Sequence, residues 1–181
     1  KWSYLIPCNL YGEYDKYEEH HSHFVSALIK KIYEADESIE LWGTGKPLRQ
    51  FMYGGDLARV IKIMIDKNIV GNFNVAPEGV LTIDGIAQIA KSALGKNDLK
   101  IEYDLTKPNG QYRKDVDSSK LLEALDGFEF TPLHEGIEKP TAEDKFEVSE
   151  ADKKPEEPKL NLHKMTKGDL KKLYAQGKIK A

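Results

Sequence analysis

Strand-like and helix-like segments alternate along the chain up to about residue 137, and this alternation constrains the fold more than any other feature. The apolar run at 3–7 ends at a proline, and the segment 24–35 repeats its apolar residues at helical spacing. Further strands are predicted at 38–42, 71–76 and 100–104, and further helices at 56–67, 82–95 and 117–125. Such alternation is typical of α/β proteins.

Several residues at the segment ends predict where the helices begin and end. Ser22, Asp56 and Thr82 are expected as N-caps of the first three helices, because their side chains can accept hydrogen bonds from free backbone N–H groups. Gly95 is expected to end the third helix. Asp117 is expected to begin the fourth helix.

Charge and proline content change sharply at Glu138. The next 21 residues read EKPTAEDKFEVSEADKKPEEP and contain three prolines and only two sizeable apolar residues. Such a segment buries too little apolar surface to offset the entropy lost on ordering. We therefore predict a folded region over 1–137, a disordered charged linker over 138–160, and a tail over 161–181 with at most one short helix.

Composition argues against several classes of protein. With 27 basic and 30 acidic residues the net charge is −3, so no basic field indicates a nucleic-acid partner. The only cysteine is Cys8, which excludes disulfides within the chain and argues against a cysteine-based zinc site. No apolar run approaches the roughly 18 residues of a membrane span, and residues 1–12 lack the layout of a signal peptide. We expect a cytoplasmic protein with no membrane association.

Three histidines, at positions 20, 21 and 23, lie in one polar loop. A metal site needs converging ligands, and no distant partner motif accompanies them, so a plain loop is favoured over a metal site. His23 differs because it stands at the predicted start of a helix, where backbone N–H groups favour an anion. A histidine there can donate to a phosphate or to a sugar hydroxyl.

Polar residues follow two of the predicted strands. Asn9 and Gly12 come after the first strand, where ligands bind in open α/β sheets, although both residues also suit a simple turn. Trp42 ends the second strand and Arg49 lies seven residues on; an aromatic plane can stack on a base, and a guanidinium can grip a diphosphate. The alternative places Trp42 in the core and Arg49 on a solvated hairpin. The polar segment 106–115 either closes over an anionic ligand or is a surface loop.

Two motifs of nucleotide-dependent reductases are not found. No Gly-x-Gly-x-x-Gly turn occurs, so the dinucleotide fingerprint is absent from the sequence. No Tyr-x-x-x-Lys pair occurs in an arrangement that we credit as a reduction dyad.

Six segments resemble, in this order, the C-terminal half of GDP-L-fucose synthases, a family of NADP-dependent epimerase–reductases of the extended short-chain dehydrogenase type. They read IPCNLYG, SHFVSALIKKIYEA, ELWGTGKPLRQFMYGGDLA, NFNVAPEGVLTIDGIAQIA, YDLTKPNGQYRKD and FEFTPLHEGI. The run 42–58 is fairly specific to this family, whereas NFNVAPE is shared by many sugar-nucleotide epimerases and dehydratases. The resemblance implies the C-terminal portion of an NAD(P)-binding Rossmann-type fold with an α/β substrate-binding subdomain.

The resemblance also implies a cofactor, a substrate and site residues. NADP(H) contacts are expected at Pro7, Cys8, Asn9, Leu10 and His23, and His23 is also expected to act as the catalytic acid of epimerisation. GDP-sugar contacts are expected at Lys31, Trp42, Arg49, Asn109 and Lys114. The chain departs from the family at three of these positions: Cys8 replaces a usual threonine, Lys31 an arginine, and Asn109 an aspartate.

In this family GDP-4-keto-6-deoxy-mannose is epimerised beside its ketone and then reduced by NADPH. The glycine-rich turn and the reduction residues are expected upstream of this chain, which would supply mainly the sugar-nucleotide half of the site and show no reductase activity alone. A homodimer is expected for the complete enzyme. The alternatives are another sugar-nucleotide epimerase or dehydratase, or a non-catalytic binding module whose tail recruits an unknown partner.

Overall fold

A computed structural model describes residues 2–13, 15–17 and 22–138. All of these residues belong to one compact unit. The tail and nearly all of the predicted linker lie outside the described residues, as do His20 and His21. The predicted division of the chain after residue 137 therefore stays a prediction.

Strands and helices alternate through this unit, which confirms the predicted α/β class. In chain order the elements are β1 (Tyr4–Pro7), β2 (Asn9–Tyr11), α1 (Phe24–Glu34), β3 (Ser38–Trp42), β4 (Leu48–Arg49), β5 (Phe51–Tyr53), α2 (Gly54–Asp66), β6 (Asn72–Val75), β7 (Leu81–Thr82), α3 (Ile83–Ala93), β8 (Lys100–Asp104), β9 (Arg113–Lys114), α4 (Ser119–Leu125) and α5 (Leu133–Glu138). Five short strands (β2, β4, β5, β7 and β9) and the last helix are additions to the predicted set.

Parallel pairing dominates the strands. β1 pairs with β6, β2 with β5, and β3 with β8, each in parallel. β4 lies between β9, to which it is parallel, and β7, to which it is antiparallel. Parallel partners need long crossover connections, and here those connections contain the helices.

Two apolar clusters fill the interior. The first joins α1 and α3 with β3, through residues such as Leu28, Ile86 and Ile39. The second joins α2, α4 and β6, through residues such as Val60, Leu121 and Phe73. The apolar faces that predicted these helices from their spacing are the faces that enter the clusters.

The predicted helix ends were correct for α3 and wrong for α1 and α2. Thr82 caps α3, its hydroxyl accepting from the backbone N–H of Gly85 at 2.9 Å, and Gly95 follows the helix with φ +68°. The N-cap of α1 is His23, not Ser22, and its side chain makes no capping hydrogen bond. Helix α2 begins at Gly54, because β5 runs directly into it, so Asp56 lies in the first turn. The fourth helix begins two residues after Asp117.

Asp56 is fully buried, and its carboxylate fixes a segment far along the chain. Oδ2 accepts from the backbone N–H of Thr131 at 2.7 Å, and Oδ1 accepts from the Thr131 hydroxyl at 2.9 Å and from Arg59 at 2.8 Å. A buried carboxylate is tolerated only when it is paired in this way. Asp56 therefore ties the start of α2 to the segment that leads into α5.

Replacing Asp56 with alanine should lower the free energy of unfolding by about 2–3 kcal/mol, because the Thr131 amide and hydroxyl lose their acceptors. Urea unfolding measures the change. Asp66→Ala is the matched control on the same helix, since Asp66 pairs with Lys62 at the surface and should contribute under about 0.5 kcal/mol. Equal losses in the two variants would contradict the assigned role of Asp56.

Candidate functional site

A cleft of about 1030 Å³ opens where the short strands β2, β4 and β5 meet the starts of α1, α2 and α3. The residues lining it are Cys8, Asn9, Leu10, Tyr11, Gly12, Glu13, Asp15, His23, Phe24, Arg49, Phe51, Tyr53, Gly54, Gly55, Ala58, Ile83 and Lys114. Strand ends and helix starts that meet in this way form the usual ligand site of α/β folds.

Aromatic residues make up part of the cleft lining. The rings of Phe24 and Phe51 lie 5.8 Å apart, and the ring of Tyr11 meets that of Tyr53 edge-on at 6.2 Å. Burial, together with the nearby charge of Asp56, raises the pKa of the Tyr11 phenol above its ordinary value. Its hydroxyl donates to the carbonyl of Leu133 at 3.3 Å, so Tyr11 is a neutral, structural group.

Two cations lie side by side on adjacent strands. The parallel register of β4 and β9 places Arg49 opposite Lys114, and both side chains border the cleft. One guanidinium nitrogen of Arg49 donates to the carbonyl of Leu48 at 2.7 Å, and its other donors have no acceptor among the described residues. Neighbouring cations with unused donors favour a multiply charged anion between them.

The strand that carries Arg49 is held in place by its neighbour Gln50. The buried amide of Gln50 donates to the carbonyls of Pro77 at 3.1 Å and Val116 at 3.2 Å, and accepts from the Val116 N–H at 2.8 Å. Asn9 in turn donates to the Gln50 carbonyl at 2.8 Å. The position of Arg49 at the cleft is therefore fixed by long-range hydrogen bonds.

His23 stands at the start of α1 with its ring largely exposed at the cleft. Its Nδ1 lies 3.0 Å from Oδ1 of Asp15, whose other oxygen accepts a short hydrogen bond from the Ser26 hydroxyl. Burial alone would raise the pKa of Asp15, but the hydrogen bonds from Ser26 and His23 outweigh it and hold the pKa below its ordinary value. Sequence reasoning missed Asp15 and Ser26, although Ser26 follows His23 at helical i,i+3 spacing.

Six of the residues implied by the resemblance line the cleft together: Cys8, Asn9, Leu10, His23, Arg49 and Lys114. Pro7 is not among the lining residues; it ends β1, paired with Val75. Lys31, Trp42 and Asn109 also lie outside the cleft lining, and Lys31 donates to the carbonyl of Glu40 at 3.3 Å.

Trp42 and Asn109 flank a turn next to β3. Trp42 is 63% exposed, with the Lys107 ammonium 5.4 Å from its ring, so the alternative that placed it in the core was wrong. The side-chain carbonyl of Asn109 accepts from both the N–H and the hydroxyl of Thr44, at 2.7 and 2.8 Å. The hairpin alternative for Arg49 was wrong too, because β4 is the central strand of a three-stranded sheet.

The spacing Tyr-x-x-x-Lys occurs at Tyr103 and Lys107, and again at Tyr174 and Lys178, outside the described residues. Tyr103 lies on β8, where its hydroxyl makes a short hydrogen bond to Asp84, and burial with this bond raises its pKa to about 12. Lys107 lies in the following turn, against Trp42. The pair therefore does not share a helix face, on which residues at i and i+4 meet.

Neither a metal site nor a membrane-spanning helix is found in the described part of the chain. There, no group of three His, Cys, Asp or Glu side chains is arranged to hold a metal ion. Within the same residues, no helix combines the length and apolarity needed to cross a membrane.

Comparison with known proteins shows which proteins the chain resembles. The profile of the NAD dependent epimerase/dehydratase family matches residues 1–76. GDP-L-colitose synthase of Yersinia pseudotuberculosis is 40% identical over 124 residues, which is 65% of this chain and 40% of that protein. A probable GDP-L-fucose synthase of Oryza sativa subsp. japonica is 36% identical over 137 residues, 73% of this chain and 41% of that protein. The chain is thus similar to the NAD dependent epimerase/dehydratase family over residues 1–76, and to GDP-L-colitose and GDP-L-fucose synthases over a longer stretch.

A solved structure supports the same resemblance. The GDP-L-fucose synthetase of Naegleria fowleri, bound to NADP, superposes with a TM-score of 0.66 at 29% identity, covering 75% of this chain and 44% of that one. The resemblance to GDP-L-fucose synthases seen in the sequence is thus confirmed. The chain spans about two fifths of the length of the curated relatives it matches.

Cys8 offers a direct probe of the cleft. Burial raises the pKa of its thiol to about 11, so roughly one thiol in a thousand is ionised at pH 8, against about one in four at the ordinary pKa near 8.5. Iodoacetamide should therefore alkylate the folded chain roughly 10- to 200-fold more slowly than the urea-unfolded chain, because the higher nucleophilicity of a high-pKa thiolate offsets part of its scarcity; mass spectrometry follows the reaction.

The pH dependence of the alkylation rate distinguishes a raised pKa of the Cys8 thiol from simple steric shielding of that thiol. The rate for the folded chain should keep rising to about pH 11, whereas the rate for the unfolded chain should level off near pH 9. A plateau at the same pH in both states would show that the thiol has an ordinary pKa.

Proposed function

We propose that this chain forms the sugar-nucleotide half of a GDP-L-fucose synthase-like site, which epimerises and reduces GDP-4-keto-6-deoxy-mannose. The observation that carries the proposal is that one cleft contains two adjacent cations, Arg49 and Lys114, and a histidine whose ring lies against a carboxylate. The names of the curated relatives, GDP-L-fucose and GDP-L-colitose synthases, support a GDP-sugar as the substrate.

Arg49 and Lys114 are the proposed diphosphate contacts. A diphosphate carries several charged oxygens, and an arginine with unused donors binds such a group in two-pronged fashion. Trp42, Asn109 and Lys31 lie outside the cleft lining. We keep them as contacts only for parts of the ligand that extend beyond it, such as the base, which Trp42 would stack against.

His23 is the proposed catalytic residue of epimerisation. Epimerisation beside a ketone removes a proton from carbon and returns one to the opposite face, so it needs a side chain that exchanges protons at the sugar. Histidine suits this role near neutral pH. The raised pKa values of Tyr11 and Cys8 keep both groups protonated, which argues against either as the base.

The cleft residues assigned to NADP(H) have side chains suited to binding an uncharged nicotinamide ring. Cys8, Asn9 and Leu10 offer a neutral thiol, an amide and an apolar side chain at the end of β1 and along β2. These three residues would hold the nicotinamide end, and the cofactor, when bound, supplies the hydride that reduces the ketone. The NADP-bound structure of the Naegleria fowleri protein supports the choice of NADP.

Replacing Arg49 with alanine should weaken GDP-sugar binding roughly 10- to 200-fold, the usual effect of losing a hydrogen-bonded charge. Arg49→Lys should recover only part of the loss, because an ammonium lacks the planar fork. Calorimetry with GDP-mannose and UDP-glucose measures both variants and tests the preference for guanosine. Arg113→Ala is the matched control, since Arg113 is a neighbour on β9 that pairs with Asp115 and does not line the cleft.

Kinetic measurements should distinguish the proposed role of Arg49 in GDP-sugar binding from that of His23 in epimerisation. His23→Ala should lose epimerisation, with only a modest loss of GDP-sugar affinity, while reduction of an already epimerised substrate is less affected. Unchanged GDP-sugar affinity in Arg49→Ala, or equal losses in Arg49→Ala and Arg113→Ala, would remove the main support for the site.

A further inference from the structure

Asp15 connects the loop after β2 to the first turn of α1. Its Oδ1 lies 3.0 Å from His23 Nδ1 and accepts from the Lys16 N–H at 2.8 Å, and its Oδ2 accepts from the Ser26 hydroxyl. The Asp15 side chain is only 13% exposed, and Ser26 is fully buried. The Lys16 N–H and the Ser26 hydroxyl both donate to this carboxylate, so the site is built to hold a negative charge.

The charge state of Asp15 determines the tautomer of His23. The hydrogen bonds from Ser26 and His23 keep the pKa of Asp15 below its ordinary value, so the group is a carboxylate at neutral pH. A carboxylate only accepts hydrogen bonds, and therefore His23 Nδ1 must carry a proton. The other ring nitrogen, Nε2, has no hydrogen-bond partner within the part of the chain that the structure describes, and the ring borders the cleft.

We propose that Asp15, anchored by Ser26, is a positioning residue that holds the His23 imidazole in the Nδ1–H form and presents Nε2 to the substrate. The proposal rests on the function proposed for the cleft. As the acid, the ring with both nitrogens protonated gives its Nε2 proton to the sugar carbon and returns to the Nδ1–H form, while the Nδ1 proton stays on the ring and Asp15 remains ionised throughout. An acid that orients a catalytic histidine in this manner is known from other enzyme classes.

Ser26 explains why Asp15 can hold this position. His23 and Ser26 are three residues apart at the start of α1, so their side chains lie on one face of the helix. Asp15 bridges them with its two oxygens, and its own N–H donates to the Gly12 carbonyl at 3.2 Å. The carboxylate is thus fixed to the same helix that carries the imidazole.

Nitrogen-15 NMR of the 181-residue chain, with labelled histidine, tests the tautomer directly. At a pH where the ring is neutral, His23 should be in the Nδ1–H form, with its signals assigned by their loss in His23→Gln. Asp15→Ala should abolish this form, and Asp36→Ala, an exposed acid beyond the far end of α1, should leave it unchanged. An Nε2–H tautomer in the wild type, or no change in Asp15→Ala, would overturn the proposal.

Kinetics of the complete protein test what positioning contributes. Asp15→Ala should lower the turnover of deuterium exchange beside the sugar ketone roughly 10²- to 10⁴-fold, the usual range of acid–base catalysis, with KM within about twofold of the wild type. Asp15→Asn, which keeps the size and one acceptor oxygen, covers the case in which the alanine variant fails to fold and should lose less. A KM that rises as much as turnover falls would instead identify Asp15 as a substrate contact and overturn the proposal.

The two proposals fail in different ways. If the wild-type protein exchanges no deuterium and does not bind GDP-sugars, the proposed function fails, while the histidine spectra still decide whether Asp15 sets the tautomer. If exchange and binding occur but His23 is in the Nε2–H form, only the positioning role fails.

Discussion

The parallel pairing of β2 with β5 is the contact on which both apolar clusters and the cleft depend. Leu10 pairs with Met52, and both pack into the cluster around α2 and α4. The next pair, Tyr11 with Tyr53, packs into the cluster around α1 and α3. Because side chains alternate along a strand, a slip of one residue in this pairing would turn Leu10 and Tyr11 toward the opposite clusters. The register of this three-residue pairing thus determines which of these side chains enter each apolar cluster.

Buried hydrogen bonds hold this pairing in place, from residues on either side of β5. Gln50 precedes the strand and binds the backbone of Val116, while Asp56 follows it and binds Thr131. In the described part of the chain no buried side-chain nitrogen or oxygen lacks a hydrogen-bond partner. Such satisfied polar contacts make the segment around β5 rigid, and this rigidity holds the neighbouring Arg49 at the cleft.

The longer elements were predictable because their apolar spacing repeats, and the shortest ones were not. Strands of two or three residues, such as β4 and β9, cannot show a period, yet they bring Arg49 beside Lys114. Asp56 was assigned to a cap on local grounds, whereas its partner Thr131 lies 75 residues away. His23 was found by its place at a helix start, but Asp15 acts through a contact across a loop, which spacing alone does not reveal.

The polar side chains of the cleft fall into two groups, one suited to binding an anion and the other to proton transfer. Arg49 and Lys114 are cationic side chains, so they suit the binding of an anion rather than proton transfer. Around His23, by contrast, Cys8 and Tyr11 are kept neutral by burial, and Asp15 is kept ionised by its donors. Each of these neighbours is held in one protonation state, and histidine is the residue type that changes its own near neutral pH. Proton donation to the sugar would therefore take place at one ring nitrogen of His23 and on one face of the carbon, while the base that removes the original proton acts on the opposite face.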